Sequence, residues 1–392
     1  MIPDYSEHPK FMEYINMMPE KDHPLIFGLN GNADMTFRLN ESTSMLNTLL
    51  DTMPKEASGS GGKSREEEVK EKLETDLIKQ LPANFIEIDV EERLKYMKGP
   101  KGLSDVGKGV PLNVFLLQEI QRFQSILDIV RSTMLNMVQA IDGTIIMTLD
   151  IVESINAIYD FRVPKSWQFD PTGAEISWLT ASLAGWIKGL TDRHFQLYNW
   201  IYKERPSSFW LTGFFNPQGF LTAMKQEVTR QRKSEAWSLD EVEYTSNVQK
   251  EIVTNDDGRL DKVYSAPNEG VLIHGLYLEG AFWQRGSDQC LEEQTAGAKD
   301  LYQAFPIIHM SAESTAPTQD KHPHAKKQTD ANSQKMQYLC PIYKYPKRND
   351  KYLITRINLN AAPQSGGQNL SKGVSSSMNW KLKGVALLCC KE

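Results

Sequence analysis

The sequence has few cysteines and lacks the motifs that mark common catalytic sites. Its 392 residues include four cysteines and no CxxC pair, so we expect reduced, buried thiols as in a cytosolic compartment. GxSxG, HExxH and GxGxxG are absent, and no apolar run approaches the roughly eighteen residues that a membrane span needs. The first residues are polar and contain no apolar core of the signal-peptide type.

The sequence also has no strong excess of positive or negative charge. A net charge of -6 gives no general attraction to nucleic acids or to anionic membranes. The basic residues of 225–233 are interrupted by Glu227 and lie at a predicted helix end, which is not the pattern of a nucleic-acid patch. We therefore predict neither a nucleic-acid nor a membrane partner.

Aromatic residues, by contrast, are crowded into one stretch, residues 206–232, which we call the joint. So much aromatic surface must be buried in a folded protein. Asn216 and Pro217 read as the N-cap and first residue of a helix. We take this stretch as the joint between two halves of the chain, and we expect replacing a core ring such as Trp210 or Phe215 with Ala to cost about 3–5 kcal/mol. The rings of the joint belong to Phe209, Trp210, Phe214, Phe215 and Phe220.

Before the joint, apolar residues recur every three or four positions, which predicts helices. The expected helices cover about 36–53, a charged segment after Ser64, 111–143, a segment that stops before Pro164, and about 174–203. Each has one apolar side, so these helices must bury that side against each other or against a partner.

Beyond Trp237 the sequence changes to short β-type runs separated by polar segments. The runs are 270–283, 305–310, 338–345, 352–359 and 380–390, and the connector 311–337 is predicted to be a surface loop. Together the two halves predict an α+β fold, in which an N-terminal helical bundle precedes a β-half that is an antiparallel sandwich or an incomplete barrel.

One segment, residues 55–64, resembles a phosphate-binding loop because it ends in Gly-Lys-Ser. Ala57 stands where that motif requires its first glycine, and the preceding residues read as helix rather than strand. We interpret the segment as a flexible linker followed by a helix that Ser64 caps, with Glu67 in capping-box spacing. The alternative is an ATPase site that uses Lys63.

The β-type runs contain the remaining candidates for chemistry. His274, Glu279 and His309 could form a ligand-binding or hydrolytic site, but no second carboxylate is fixed beside Glu279, and both histidines could simply be hydrogen-bonded within a sheet. His322 and His324 are too weak a pattern to predict a metal site. The residues alone indicate a helical bundle joined to a β-domain with no visible active site.

Several of these segments also occur, in the same order, in one protein family. The chain resembles the C-terminal region of dynein heavy chains, and among them the axonemal (ciliary) branch of the outer-arm type. The resemblance covers nearly the whole chain, and its longest motifs are FWLTGFFNPQGFLTA and GVLIHGLYLEGAFW. The matching segments are 27–37, 111–123, 209–223, 270–283, 305–310, 340–344 and 380–389.

The resemblance implies a non-catalytic regulatory and structural domain that packs on an AAA+ ring. Residues 1–30 would end the lid of the sixth AAA+ module, 31–235 would form the helical half, and 236–392 an antiparallel, partly open β-barrel. The rings of the joint, with Trp283, would pack the two halves together. No catalytic, cofactor or metal residue is implied, since ATP and Mg would bind other parts of the heavy chain. The implied partners are the AAA+ modules and, through the complex, intermediate and light chains and microtubules. The implied setting is a minus-end-directed motor of the cytoplasm, cytoskeleton and ciliary axoneme that drives ciliary beating.

Overall fold

The structure is a computed structural model. It describes residues 12–13, 15–17, 31–52, 64–180, 182–249, 265–285, 289–293, 302–315, 336–346, 348–362 and 376–390. Lys63, Ala57 and the His322–His324 pair lie outside these ranges, as do most of residues 1–30 and the middle of the 311–337 connector.

Helices dominate the first half, largely as the periodicity predicts. Helix α1 covers Gly31–Thr52, and α2 covers Arg65–Lys72 before a π-helical turn and a last short helix, Ile78–Gln80. Ser64 and Glu67 form the predicted capping box at the start of α2. The remaining helices of this half are α3 (Glu87–Tyr96), α4 (Pro111–Ile141), α5 (Leu149–Tyr159), α6 (Lys165–Gln168) and α7 (Leu183–Tyr202).

Helix α4 is the central element of the helical half. Its apolar stripe is buried from Leu112 to Met137, as the spacing of three and four requires. The predicted helix 174–203 begins later than expected, at Leu183. The reason is local: the Ser182 hydroxyl accepts the N–H of Gly185 and so caps the helix there, while Phe169 and Glu175 form a β-bridge upstream.

The joint itself contains a short strand and a helix. Strand β1 covers Ser208–Trp210, and α8 covers Pro217–Gln231. The later strands are β2 (Val242–Val248), β3 (Val271–His274), β4 (Tyr277–Glu279), β5 (Phe282–Gln284), β6 (Cys290–Glu292), β7 (Tyr302–Ala304), β8 (Ile308–Ser314), β9 (Met336–Tyr343), β10 (Leu353–Ala361) and β11 (Ala386–Leu388).

The strands form two open sheets, so the predicted barrel is wrong. One sheet has the order β1-β3-β8-β2, and the other has the order β5-β6-β10-β9-β11-β4-β7. Parallel pairs occur at β1–β3, β6–β10 and β9–β11, so the sheets are also mixed rather than antiparallel. The α+β class is confirmed.

A glycine explains why one long β-type run serves both sheets. The predicted run 270–283 breaks after His274, where Gly275 has φ of +89°, a conformation that residues with a Cβ rarely adopt. The chain therefore leaves the first sheet at β3 and enters the second at β4, which pairs with β11.

Two other β-type predictions need correction. The run 380–390 begins inside helix α9 (Ser376–Leu382). Gly384, with φ of +69°, follows the end of this helix and precedes the short strand β11. The connector 311–337 is shorter than predicted, because its first residues continue β8 to Ser314 and its last residues begin β9 at Met336.

One hydrophobic core runs through both halves. The buried cluster extends from Val69 on α2 to Cys389 beyond β11, and it includes α4, α7, the joint and both sheets. None of the four cysteines forms a disulfide; Cys340 and Cys389 are buried, whereas Cys290 and Cys390 are only half-buried, which differs from the buried thiols that the sequence predicts. The division at residues 235 and 236 stays a prediction.

Candidate functional site

The aromatic rings of the joint pack mainly onto the helical half. Phe214 and Phe220 stack with ring centroids 4.7 Å apart, and both contact Phe115 of α4. Phe209 lies 4.8 Å from the ring of Trp200 on α7 and is also held in β1, where it pairs with Ile273 of β3. The joint is thus attached to two helices and to one sheet.

Not every predicted ring lies in this cluster. Phe209, Phe214 and Phe220 are almost fully buried, whereas Trp210 and Phe215 are half-buried. Trp283 is buried too, but its ring packs on Phe305, 5.0 Å away. A role of these six rings in packing the two halves together stays a prediction.

A buried carboxylate fixes the backbone of the joint. Glu119 on α4 is 1% exposed, and its oxygens accept the N–H groups of Phe215 and Asn216 at 2.7 and 3.2 Å. Burial raises the pKa of this carboxyl, although the two backbone donors and Arg122 oppose the change. On the other side, Lys344 Nζ donates to the Phe215 carbonyl at 3.0 Å. Phe215 is therefore held from α4 and from the segment after β9 at once.

A second carboxylate ties α8 to the start of α4. Glu227 accepts the N–H of Leu112, an amide that has no partner within its own helix turn, at 3.2 Å. The Glu227 Oε2 also forms a salt bridge with Arg205 Nη2 at 2.8 Å, and the Glu227 side chain is only 2% exposed. The negative charge suits the N-terminal end of α4.

A buried guanidinium completes the site. Arg193 of α7 lies over the ring of Trp178, 3.8 Å from its centroid, and 5.2 Å from that of Trp210. It donates to the carbonyls of Gly189 and Thr212 at 3.0 and 3.2 Å. Burial lowers the pKa of Arg193 to about 10, so it remains a cation at neutral pH.

Beside Arg193 lies a cavity of about 250 Å³, which we call the junction cavity. It is bounded by α7, the joint, the segment after β9 and the residues after β11. Lys344, Trp178 and Tyr345 are among its walls. Burial, and then the nearby charge of Arg193, lower the pKa of Lys344.

Comparison with known proteins identifies the family. The family model that describes the C-terminal domain of the dynein heavy chain matches residues 39–389. This protein belongs to that family.

Named relatives are heavy chains of axonemal dyneins. Dynein axonemal heavy chain 8 of Homo sapiens is 37% identical over 381 residues, which are 97% of this chain and 7% of the relative. Dynein axonemal heavy chain 5 of Mus musculus is 35% identical over 99% of this chain and 7% of its own. The dynein gamma chain, flagellar outer arm, of Chlamydomonas reinhardtii is 36% identical over 79% of this chain and 6% of its own. The chain therefore spans a small fraction of these relatives.

In this dynein C-terminal domain the three β candidates have separate partners. The His274 Nδ1 is 2.8 Å from Ser208 Oγ, Glu279 pairs with Arg348 at 2.5 Å, and His309 Nε2 is 2.7 Å from the Glu269 carbonyl oxygen. Each contact suits a side chain that stabilises the sheets.

The described ranges contain neither a cluster of metal-ligating side chains nor a helix that could span a membrane. No three His, Cys, Asp or Glu side chains gather there as a metal-ligand set. No helix in the same ranges is long and apolar enough to cross a bilayer. The ATPase alternative rests on Lys63, which lies outside the described residues.

Sequence reasoning missed the charged residues of the site. Glu119 lies within the buried stripe of α4, three residues after Leu116 and four before Phe123. A carboxylate in the middle of an apolar stripe could have identified Glu119 as a site residue, since a buried charge needs hydrogen-bonding or charged partners. Nothing comparable in the sequence marks Lys344 or Arg193, because their partners come from distant segments.

Proposed function

We propose that this chain forms the C-terminal region of an axonemal dynein heavy chain of the outer-arm type and performs no catalysis itself. One observation carries the proposal: the axonemal heavy chains match 97% or more of this chain, yet only 7% of their own length. The gamma-chain relative of the flagellar outer arm favours that type. ATP and Mg would then bind other parts of the heavy chain.

The role that we propose is to pack on the AAA+ ring, to brace it, and to tune its nucleotide-coupled motion, and hence the force and run length of the motor. Support comes from α1, which carries an exposed apolar stripe. Met35, Leu39 and Leu46 are 45%, 53% and 59% exposed and lie on one helical face. Such a face favours a partner surface, and we assign it to the ring of the same heavy chain.

The wider setting follows from the family. The proposed partners are the AAA+ modules and, through the rest of the complex, intermediate and light chains and microtubules. The proposed location is the axoneme of a cilium or flagellum, within the cytoskeleton. Residues 1–30 stay assigned to the lid of the sixth AAA+ module as a prediction.

An association assay tests the docking. The 392-residue protein is mixed with the AAA+ ring segment of the corresponding heavy chain, and complex formation is followed by analytical ultracentrifugation. Replacing Leu39 and Leu46 together with Glu should abolish association, because it places two charges in the apolar stripe of α1. The matched control is Ile88→Glu, which alters a side chain on α3 that is 73% exposed. Equal association of the α1 variant and the wild type would contradict docking through α1.

Calorimetry tests the non-catalytic assignment separately. Titration of the protein with Mg-ATP should give no heat of binding, and Lys63→Ala should change nothing. Micromolar affinity for Mg-ATP that Lys63→Ala removes would instead support the ATPase alternative.

A further inference from the structure

The junction cavity carries an inference that does not depend on docking to a ring. Six aromatic side chains line its walls. They belong to Trp178, Trp210, Phe214, Phe215, Tyr277 and Tyr345. Aromatic walls favour an apolar ligand body, although Arg193 and Trp186 already lie against the ring of Trp178.

Hydrogen-bond donors predominate among the polar groups of the cavity, although the buried carboxylate of Asp192 also lines it. Arg193 and Lys344 supply a guanidinium and an ammonium, which can only donate. Trp178 Nε1 and the Tyr345 hydroxyl are buried, in residues that are 6% and 4% exposed, and neither has a hydrogen-bond partner among the described residues. Buried donors normally have an acceptor, so these two indicate a missing one. A ligand that fits must supply acceptor oxygens.

The charges around the cavity indicate how much negative charge the ligand carries. Asp192 and Glu119 favour the charged form of Arg193, and Glu175 and Glu119 favour that of Lys344. These carboxylates already offset part of the two positive charges. A single negative charge therefore suits the site better than a dianion such as a phosphate monoester.

Size restricts the ligand further. The volume of about 250 Å³ corresponds to roughly eight water molecules at ~30 Å³ each, and it is below the common range for larger ligands. We propose that the junction cavity binds a small aromatic carboxylate, with its oxygens toward Lys344, Arg193 and the Tyr345 hydroxyl and its ring against the aromatic side chains of the walls. Lys344 also donates a hydrogen bond to the Phe215 carbonyl. A ligand that binds Lys344 would therefore affect this contact between the second sheet and the joint.

Isothermal titration of the 392-residue protein with benzoate tests the ligand class. Benzoate should bind with a Kd of about 1 mM or lower. Benzamide, which has the same ring but no charge, should bind at least about tenfold more weakly, and so should inorganic phosphate. No binding of benzoate at about 10 mM would overturn the proposal. Benzamide binding as tightly as benzoate, or phosphate binding more tightly, would overturn the carboxylate assignment.

Two variants test the location. Tyr345→Phe removes one oxygen and should weaken benzoate binding about tenfold, since it deletes one donor to a carboxylate. Lys344→Met should weaken it further. The matched control is Tyr338→Phe, which removes a buried hydroxyl on the neighbouring strand β9, one that donates to the Val385 carbonyl at 2.7 Å. That control should bind like the wild type.

Folding is checked by circular dichroism and tryptophan fluorescence. If Lys344→Met fails to fold, Tyr345→Phe decides the outcome alone, because it leaves the ring and its packing in place. Unchanged benzoate affinity in folded Tyr345→Phe would place the ligand elsewhere and overturn the proposal.

Discussion

At the scale of single residues, the joint is held by a small number of buried charges. Glu119 binds two successive amides of the joint, and Lys344 binds the carbonyl between them. Hydrogen bonds to charged groups are stronger than neutral ones, and a buried charge that loses its partner is costly. These contacts therefore fix the backbone of Phe215 more firmly than packing of its half-buried ring could.

Glu119 should make stability depend on pH. Its folded pKa lies above the ordinary value of 4.5 because of burial, so the native state binds its proton more tightly than the unfolded state does. This contribution is fully present below the ordinary pKa and is lost as the pH rises through the folded pKa. We expect the free energy of unfolding lost in Glu119→Gln to be larger at pH 5 than at pH 8.

Urea denaturation at each pH measures this difference. The control is Glu66→Gln, which changes an exposed carboxylate in the first turn of α2 and should alter stability by less than about 0.5 kcal/mol. A cost of Glu119→Gln that grows from pH 5 to pH 8 would contradict the expected sign.

The rings of the joint should differ in what they contribute. Phe220 is fully buried against Phe209, Phe214 and Phe115, so Phe220→Ala should lower the free energy of unfolding by about 3–5 kcal/mol. Phe215 is half-buried, so Phe215→Ala should cost less, about 1–2 kcal/mol. This revises the larger value expected for Phe215 from the sequence. Chemical denaturation monitored by circular dichroism measures the unfolding free energies of the two variants. Equal losses of unfolding free energy would contradict the expectation that the more exposed ring contributes less.

At the scale of elements, the start of α8 is the point where the joint becomes helix. The Asn216 side chain accepts the N–H of Gly219 at 3.0 Å, and Pro217 occupies the first turn, as the sequence predicts. The neighbouring amides go to Glu119, so a helix end and a distant carboxylate together satisfy this backbone.

Removing the cap should weaken α8. Asn216→Ala should cost about 1 kcal/mol of unfolding free energy, because the Gly219 N–H loses its acceptor. Asn216→Ser keeps a capping oxygen and should recover most of that loss. Thermal denaturation of the two variants measures the difference, and identical melting temperatures for Ala and Ser would argue against a capping role.

At the scale of the whole molecule, one core joins the helical half to both sheets. Its members run from α2 through α4, α7 and the joint to the end of β11. Strand β1 belongs to the joint yet lies at the edge of the first sheet, where it pairs with β3. The two halves therefore share buried surface rather than meeting at a thin interface.

A shared core should make unfolding cooperative. We expect far-ultraviolet circular dichroism, which follows mainly the helices, and tryptophan fluorescence to report the same urea midpoint. The buried indoles sample both halves, with Trp167, Trp186 and Trp200 among the helices and Trp283 in the second sheet. Two separate midpoints would show that the halves unfold independently.

The sequence by itself determined the local structure and the family. Periodic apolar residues predicted α4 and α5, the cap at Asn216 predicted α8, and the long motifs around the joint predicted the dynein resemblance. These features depend on residues close together in the sequence, where spacing and capping act directly.

Tertiary structure decided the rest. Sheet order depends on which distant strands pair, so the sequence could not show that β3 and β4 belong to different open sheets rather than to one barrel. The site residues have the same origin: Glu119, Arg193 and Lys344 are ordinary charged residues in the sequence. They acquire a role because folding buries them beside Phe215 and the indoles, where water no longer solvates their charges.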